Sequence, residues 1–191
     1  RVWRQEFTFW GKLMSRLGLS KPVTDAELAE WEPLVYDSCT LCGRCSLACP
    51  VGNDIAYMVR KMREGMAASG HAPDGLKEAT HRSIEQGSPM GVTLATLKAH
   101  IRHTEQETGL NVPLDREGAD YLLVLSSAEV ADFSEIIPAV TRIFRQAGVS
   151  WTMASDGFEA TNSGIQIGSS DLAAELVGRI VKAAERLKVK Y

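Results

Sequence analysis

Apolar positions in the first half of the chain recur at the helical period. In RVWRQEFTFWGKLMSRLG, Trp3, Phe7, Trp10, Met14 and Leu17 fall three or four residues apart, with Arg1, Arg4, Lys12 and Arg16 between them. This predicts an amphipathic helix over 1–20 that packs on its own protein or a partner subunit, or lies at a lipid headgroup interface. Thr24 and Glu27 have the spacing of a capping box, Leu28 and Trp31 continue the helix, and Pro33 bends or ends it near Glu32. Three more helices are expected over 53–68, 73–86 and 93–108. Ile55, Met58, Val59 and Met62 share a face of the first, and Leu94, Leu97 and Ile101 share a face of the third.

From about residue 110 the pattern changes. YLLVL (121–125) is a short continuous apolar run, expected as a strand buried on both faces. A helix follows over 133–147, with Ile136, Ile137, Val140, Ile143 and Phe144 inside, then a second strand over 149–154. A long amphipathic helix over 170–187 leads into the start of a third strand at 189–191. The order βαβαβ predicts a parallel sheet with right-handed crossovers.

Composition narrows the class. The 191 residues are 45% hydrophobic with a net charge of −3, as in a soluble globular chain. Acidic residues slightly outnumber basic ones, which argues against nucleic-acid binding. No apolar run approaches the roughly 18 residues of a membrane span, and no secretory leader is evident. The chain opens on Arg1 and stops as its third strand begins, so it reads as a fragment of something longer. Its cysteines are confined to one stretch, which fits a reducing, cytoplasmic compartment rather than a disulfide scaffold. An interfacial first helix would place the protein peripherally on the inner face of the membrane.

That stretch is CTLCGRCSLACP. Cys39, Cys42, Cys45 and Cys49, followed by Pro50, have the C-x2-C-x2-C-x3-C-P spacing of a ferredoxin-type 4Fe–4S run. Two-residue spacers let the chain wrap one corner of a cubane. Gly43 supplies a backbone conformation or a close approach that a side chain would block. Leu41, Leu47, Val51 and Ile55 are expected to screen the cluster from water, and Arg44 to add positive charge; both tune potential. Zinc also accepts four thiolates, but its sites usually pair two knuckles across a longer loop. In two-cluster proteins the cysteine before the proline ligates the other cluster, and no second run is present here. Cys49 closes the same cluster or serves one whose other ligands lie outside this chain; a 3Fe–4S form or a non-cysteine fourth ligand also remains open. The favoured reading is one 4Fe–4S cluster held by all four. The fold class expected is α+β in two parts. An α-helical, ferredoxin-like module covers 1–109, with the cluster loop at 39–50, and a βαβαβ α/β domain covers 110–191.

Read with its flanks, CTLCGRCSLACPVGNDIAYMVRKMREGM, EQGSPMGV, GADYLLVLSS and SWTMASDGFEATNSGIQIG, the chain resembles, from about Glu32 onward, the D-type chains of heterodisulfide reductase, a family of CCG-domain iron–sulfur oxidoreductases. This family is related to glycolate oxidase iron–sulfur subunits and DsrK-type subunits. The resemblance implies a helical module that delivers electrons to cysteine-rich "CCG" domains. Two departures matter. Only one cluster run is present, and the positions after the strands where the family carries cysteines are Ser126-Ser127 and Phe158-Glu159-Ala160-Thr161. The α/β part therefore resembles a degenerate first CCG half that cannot hold the family's catalytic cluster.

Together these readings predict an electron-transfer iron–sulfur subunit of a heterodisulfide-reductase-like complex. Its expected partners are a flavoprotein or another iron–sulfur subunit, and a quinone-linked membrane subunit reached through the first helix. The rival readings are a catalytic subunit acting on disulfide or other sulfur compounds, with its active site beyond residue 191, and a binding module stapled by zinc or a cluster. Other candidates read as structural. His100 and His103 share a helix face without a third ligand, Met58, Met62 and Met66 read as a packed stripe, and GFEATNSGIQIG lacks the G-x-G-x-x-G pattern.

Overall fold

A computed structural model describes residues 8–19, 23–133 and 135–191. Arg1, Trp3, Arg4 and Phe7 of the first predicted helix lie outside them. The elements are α1 (Phe9–Arg16), α2 (Asp25–Glu32), a π-helical turn (Pro33–Asp37), α3 (Arg44–Ala48), α4 (Ile55–Ala68), α5 (Asp74–Gln86) and α6 (Leu94–Thr108). Then follow β1 (Tyr121–Leu122), α7 (Ser127–Ala131), α8 (Ile136–Gln146), β2 (Trp151–Thr152), α9 (Ser163–Ile167) and α10 (Ser170–Leu187). Contacts divide the chain into two compact units, 1–77 with 164–172, and 78–163 with 173–191. The change in sequence texture near residue 110 is not where contacts divide the chain, because Leu97 and Ile101 of α6 pack in the core of the second unit.

In the first unit, Thr8 is extended and accepts a hydrogen bond from the Gly11 N–H at 3.0 Å, so α1 starts at Phe9. Phe9, Trp10, Met14 and Leu17 are exposed. The capping box at Thr24 and Glu27 is formed in both directions. α2 stops at Glu32 because Pro33 has no N–H for the ladder and crowds the preceding turn. The chain widens into the π-helical turn, closed by the Ser38 N–H donating to the Pro33 carbonyl at 2.9 Å. Leu28, Val35 and Met66 form the small core, with Trp31, Val59 and Met62 packed around it. The methionine stripe is thus packed at Met62 and Met66, while Met58 faces solvent.

In the second unit, β1 and β2 pair in parallel, Tyr121 opposite Trp151 and Leu122 opposite Thr152, with α8 in the connection. Isolated bridges join Leu114 to Met153 and Leu125 to Glu159. β2 therefore has a neighbour on each side, and residues 151–154 are buried throughout. This corrects the reading of YLLVL as buried on both faces: Tyr121 is exposed, and 122–124 are half-buried. The predicted third strand is not regular, yet its segment lies beside β1, with the Leu122 N–H donating to the Tyr191 carbonyl at 2.9 Å. One core joins α6, α8 and β2 through Leu97, Ile101, Ile137, Trp151 and Met153. Ala154, Ala183 and Leu187 form a second. Ile143, expected inside, is exposed; it lies six residues, or about 120°, around α8 from the buried Ile137.

Arg186 of α10 bonds Asp115 at 2.9 Å and Asp156 at 2.5 Å. Burial raises the Asp115 carboxyl, but hydrogen bonds from Arg186 and Ser155 outweigh it and hold it below its ordinary value. A depressed folded-state value contributes stability above the unfolded value of about 3.9 and loses it as pH falls through the folded value. The denaturation midpoint is therefore expected to fall below about pH 4, less steeply in Arg186→Met. Equal pH slopes for the two proteins would contradict this assignment.

Candidate iron–sulfur site

The cysteine run occupies the loop between the π-helical turn and α4. Cys39 and Cys49 are half-buried, and Cys42 and Cys45 are exposed. Leu41 and Gly43 both adopt left-handed backbone, with φ of 56° and 77°, so the chain reverses on either side of Cys42. A Cβ on Gly43 would meet nothing within 4 Å. The glycine is there for its φ, not for a close approach.

Polar contacts set the loop on α4. Asp54 caps that helix by accepting from the Tyr57 N–H at 3.0 Å, and it also accepts from the Ser46 hydroxyl at 2.8 Å. The Ser46 hydroxyl accepts from the Ala56 N–H in turn. These donors hold the Asp54 carboxyl below its ordinary value, the Tyr57 N–H most strongly. The sulfurs also meet donors. The Asn53 N–H donates to Cys49 Sγ at 3.3 Å, and the Arg44 N–H, then the Thr40 hydroxyl, hold the Cys42 thiol below its ordinary value.

Among the described residues, no three His, Cys, Asp or Glu side chains converge on a common point. The run supplies four soft donors at the surface, a donor set that suits iron–sulfur chemistry, and convergence of such ligands is coupled to binding the metal itself. Leu47 and Val51 do not screen this loop: they are 90% and 75% exposed. Of the expected set only Leu41 and Ile55 are half-buried. His103 faces solvent near Glu107.

Sequence reasoning missed Arg63. This α4 residue is 5% exposed. Its guanidinium donates from Nε to the Val35 carbonyl at 3.0 Å, from Nη2 to the Cys39 carbonyl at 2.5 Å and from Nη1 to the Gln166 carbonyl at 3.1 Å. It lies 5.2 Å from the centre of the Tyr36 ring. The Tyr36 hydroxyl donates to the Ile167 carbonyl at 2.9 Å, and burial pushes its pKa up to about 12. Burial lowers the Arg63 value, opposed by Cys39 and Tyr36. The signal was in the sequence: Arg63 falls on the apolar stripe of Val59, Met62 and Met66.

The segments after β1 and β2, where the resemblance would put cysteines, come together in the second unit. Ser127, at the start of α7, and Glu159, in the loop after β2, are directly hydrogen-bonded. Glu159 also accepts from the Ser127 and Thr161 N–H groups at 3.1 and 2.6 Å. The Ser88 hydroxyl lies 2.7 Å from Ser127 Oγ. Both serines are buried, so this network is a polar staple between loops. Ser127→Ala leaves part of it unsatisfied and is expected to cost about 1–3 kcal/mol with unchanged iron content, read by denaturation and iron analysis.

Comparisons with known proteins agree with the loop. The family described as "4Fe-4S binding domain" matches residues 33–53. Over the whole chain, the protein is 28% identical to the Hdr-like menaquinol oxidoreductase iron-sulfur subunit of Archaeoglobus profundus, covering 36% of that relative. It is 27% identical to the Hdr-like menaquinol oxidoreductase iron-sulfur subunit 2 of Archaeoglobus fulgidus, again covering 36% of it. The chain thus spans about a third of the length of the curated relatives it matches. No solved structure gives a significant match. The class is an iron–sulfur protein whose cofactor is a 4Fe–4S cluster. More particularly, the chain is similar to Hdr-like iron–sulfur subunits.

Proposed function

We propose that this chain is an electron-transfer part of a heterodisulfide-reductase-like oxidoreductase. Cys39, Cys42, Cys45 and Cys49 hold one 4Fe–4S cluster that relays single electrons. The observation that carries this reading is the cysteine run on an exposed loop, with Cys42 and Cys45 open to solvent and backbone N–H groups directed at sulfur. Bound there, the cluster would supply one-electron redox chemistry. The chain's own contribution is to hold the thiolates, direct N–H dipoles at them and present the loop to a partner.

The α/β part serves as a scaffold or docking surface, since its family-cysteine positions are occupied by the Ser127–Glu159 staple. The partners are a flavoprotein or another iron–sulfur subunit. The exposed Phe9, Trp10 and Met14 of α1 with Leu17 at its C-cap and the menaquinol named for the relatives support contact with a quinone-linked membrane subunit. No helix among the described residues is long and apolar enough to cross a membrane. On this reading the protein works at the inner face of a membrane as a peripheral component. Iron and sulfide analysis with EPR after dithionite tests it; zinc without a reducible cubane signal would sink it.

A further inference from the structure

Arg63 is a buried cation, and its contacts do not neutralise it. Its guanidinium bonds three backbone carbonyls, which are dipoles rather than charges. Among the described residues no carboxylate pairs with it, and the ionisable groups that act on it are Cys39 and Tyr36. Tyr36 keeps its proton, which it donates to the Ile167 carbonyl. That leaves Cys39, whose carbonyl accepts from Nη2 at 2.5 Å. A buried charge without a counter-ion is costly, and buried charges in proteins are paired or associated with metal centres. A 4Fe–4S centre with four thiolates carries net negative charge, which grows by one on reduction.

We infer that Arg63 is the internal counter-ion of the cluster, raising its reduction potential and tying segment 164–172 to the cluster loop. This rests on the proposed ligation by Cys39 and its companions. The tie has two halves. Arg63 holds the carbonyl of the first ligand and the carbonyl of Gln166 on one guanidinium. Behind it, Gly168 lies so close to α4 that an added Cβ would stand 2.4 Å from the Arg63 carbonyl carbon. Because reduction adds negative charge beside a fixed cation, the reduced state gains more than the oxidised one. The same gain tightens the guanidinium fork on which segment 164–172 hangs.

The test compares reconstituted wild type, Arg63→Gln and Arg63→Lys by EPR-monitored redox titration. Arg63→Gln removes the charge and is expected to lower the one-electron reduction constant at least about tenfold, a fall of about 59 mV. Arg63→Lys keeps the charge and should stay closer to wild type. A loaded Arg63→Gln protein with the wild-type potential overturns the inference while leaving the cluster reading intact; a wild type that takes up no cubane fails the cluster reading instead. Hydrogen exchange on wild type provides the second arm, should Arg63→Gln not fold. Protection of 164–172 is expected to rise from apo to oxidised to reduced protein. Equal exchange in all three states overturns the inference.

Discussion

Cys42→Ser, purified without oxygen and reduced with dithionite, is expected to lack the cubane EPR signal of the wild type. Changes to outer-shell groups around metal sites already cost about 10–100-fold in affinity, so loss of a thiolate itself should cost at least that. Cys42 is the sharpest choice because its sulfur is exposed, takes donors from Arg44 and Thr40, and lies between two left-handed residues. Its removal leaves both units' cores untouched, so the apo protein should unfold at the wild-type denaturant concentration. Cys49→Ser separates the ligation schemes. If Cys49 closes the same cluster, the variant converts to a 3Fe–4S or serine-ligated form with an altered spectrum. An unaltered 4Fe–4S spectrum would assign Cys49 elsewhere and refute the four-cysteine proposal.

What the sequence shows about this site follows the range of the interactions involved. The run, the capping box at Thr24 and Glu27 and the break at Pro33 depend on neighbours within a few residues, and all are plain in the pattern. Arg63 depends on carbonyls 24, 28 and 103 residues away, and no local rule brings them together. Only its position on an apolar helical stripe hints at burial. Leu47 and Val51 fail the other way: apolar character was legible, but which side of the loop they occupy was not. The Ser127–Glu159 staple belongs to the same class, since its partners lie 32 residues apart on loops after two different strands. The parallel pairing was legible from the order of elements. That β2 gains a second neighbour through the Leu114 and Met153 bridge is something no periodicity encodes.

Gly168→Ala should be the most damaging small substitution in the unit that contains the cysteine run, costing about 3 kcal/mol. Two effects add. Gly168 has φ of +97°, a conformation costly for any residue with a Cβ. That Cβ would also stand 2.4, 2.6 and 2.7 Å from the Arg63 carbonyl carbon, carbonyl oxygen and Cβ. Two of these are backbone atoms of α4, which cannot turn aside as a side-chain tip can. Gly118→Ala is the matched control, since its φ is +72° but nothing lies within 4 Å of the new Cβ; it should cost only the backbone strain of about 1–2 kcal/mol. Segment 164–172 can escape the clash only by leaving α4, which releases the Gln166 carbonyl from Arg63 and the Ile167 carbonyl from Tyr36. Limited proteolysis should therefore cut Gly168→Ala within 164–172 while the Gly118→Ala and wild-type proteins resist. A variant with the wild-type denaturation midpoint and cleavage pattern would show that α4 and this segment are not held in contact. The contacts of Arg63 would then have no part in fixing Cys39, the first of the proposed ligands.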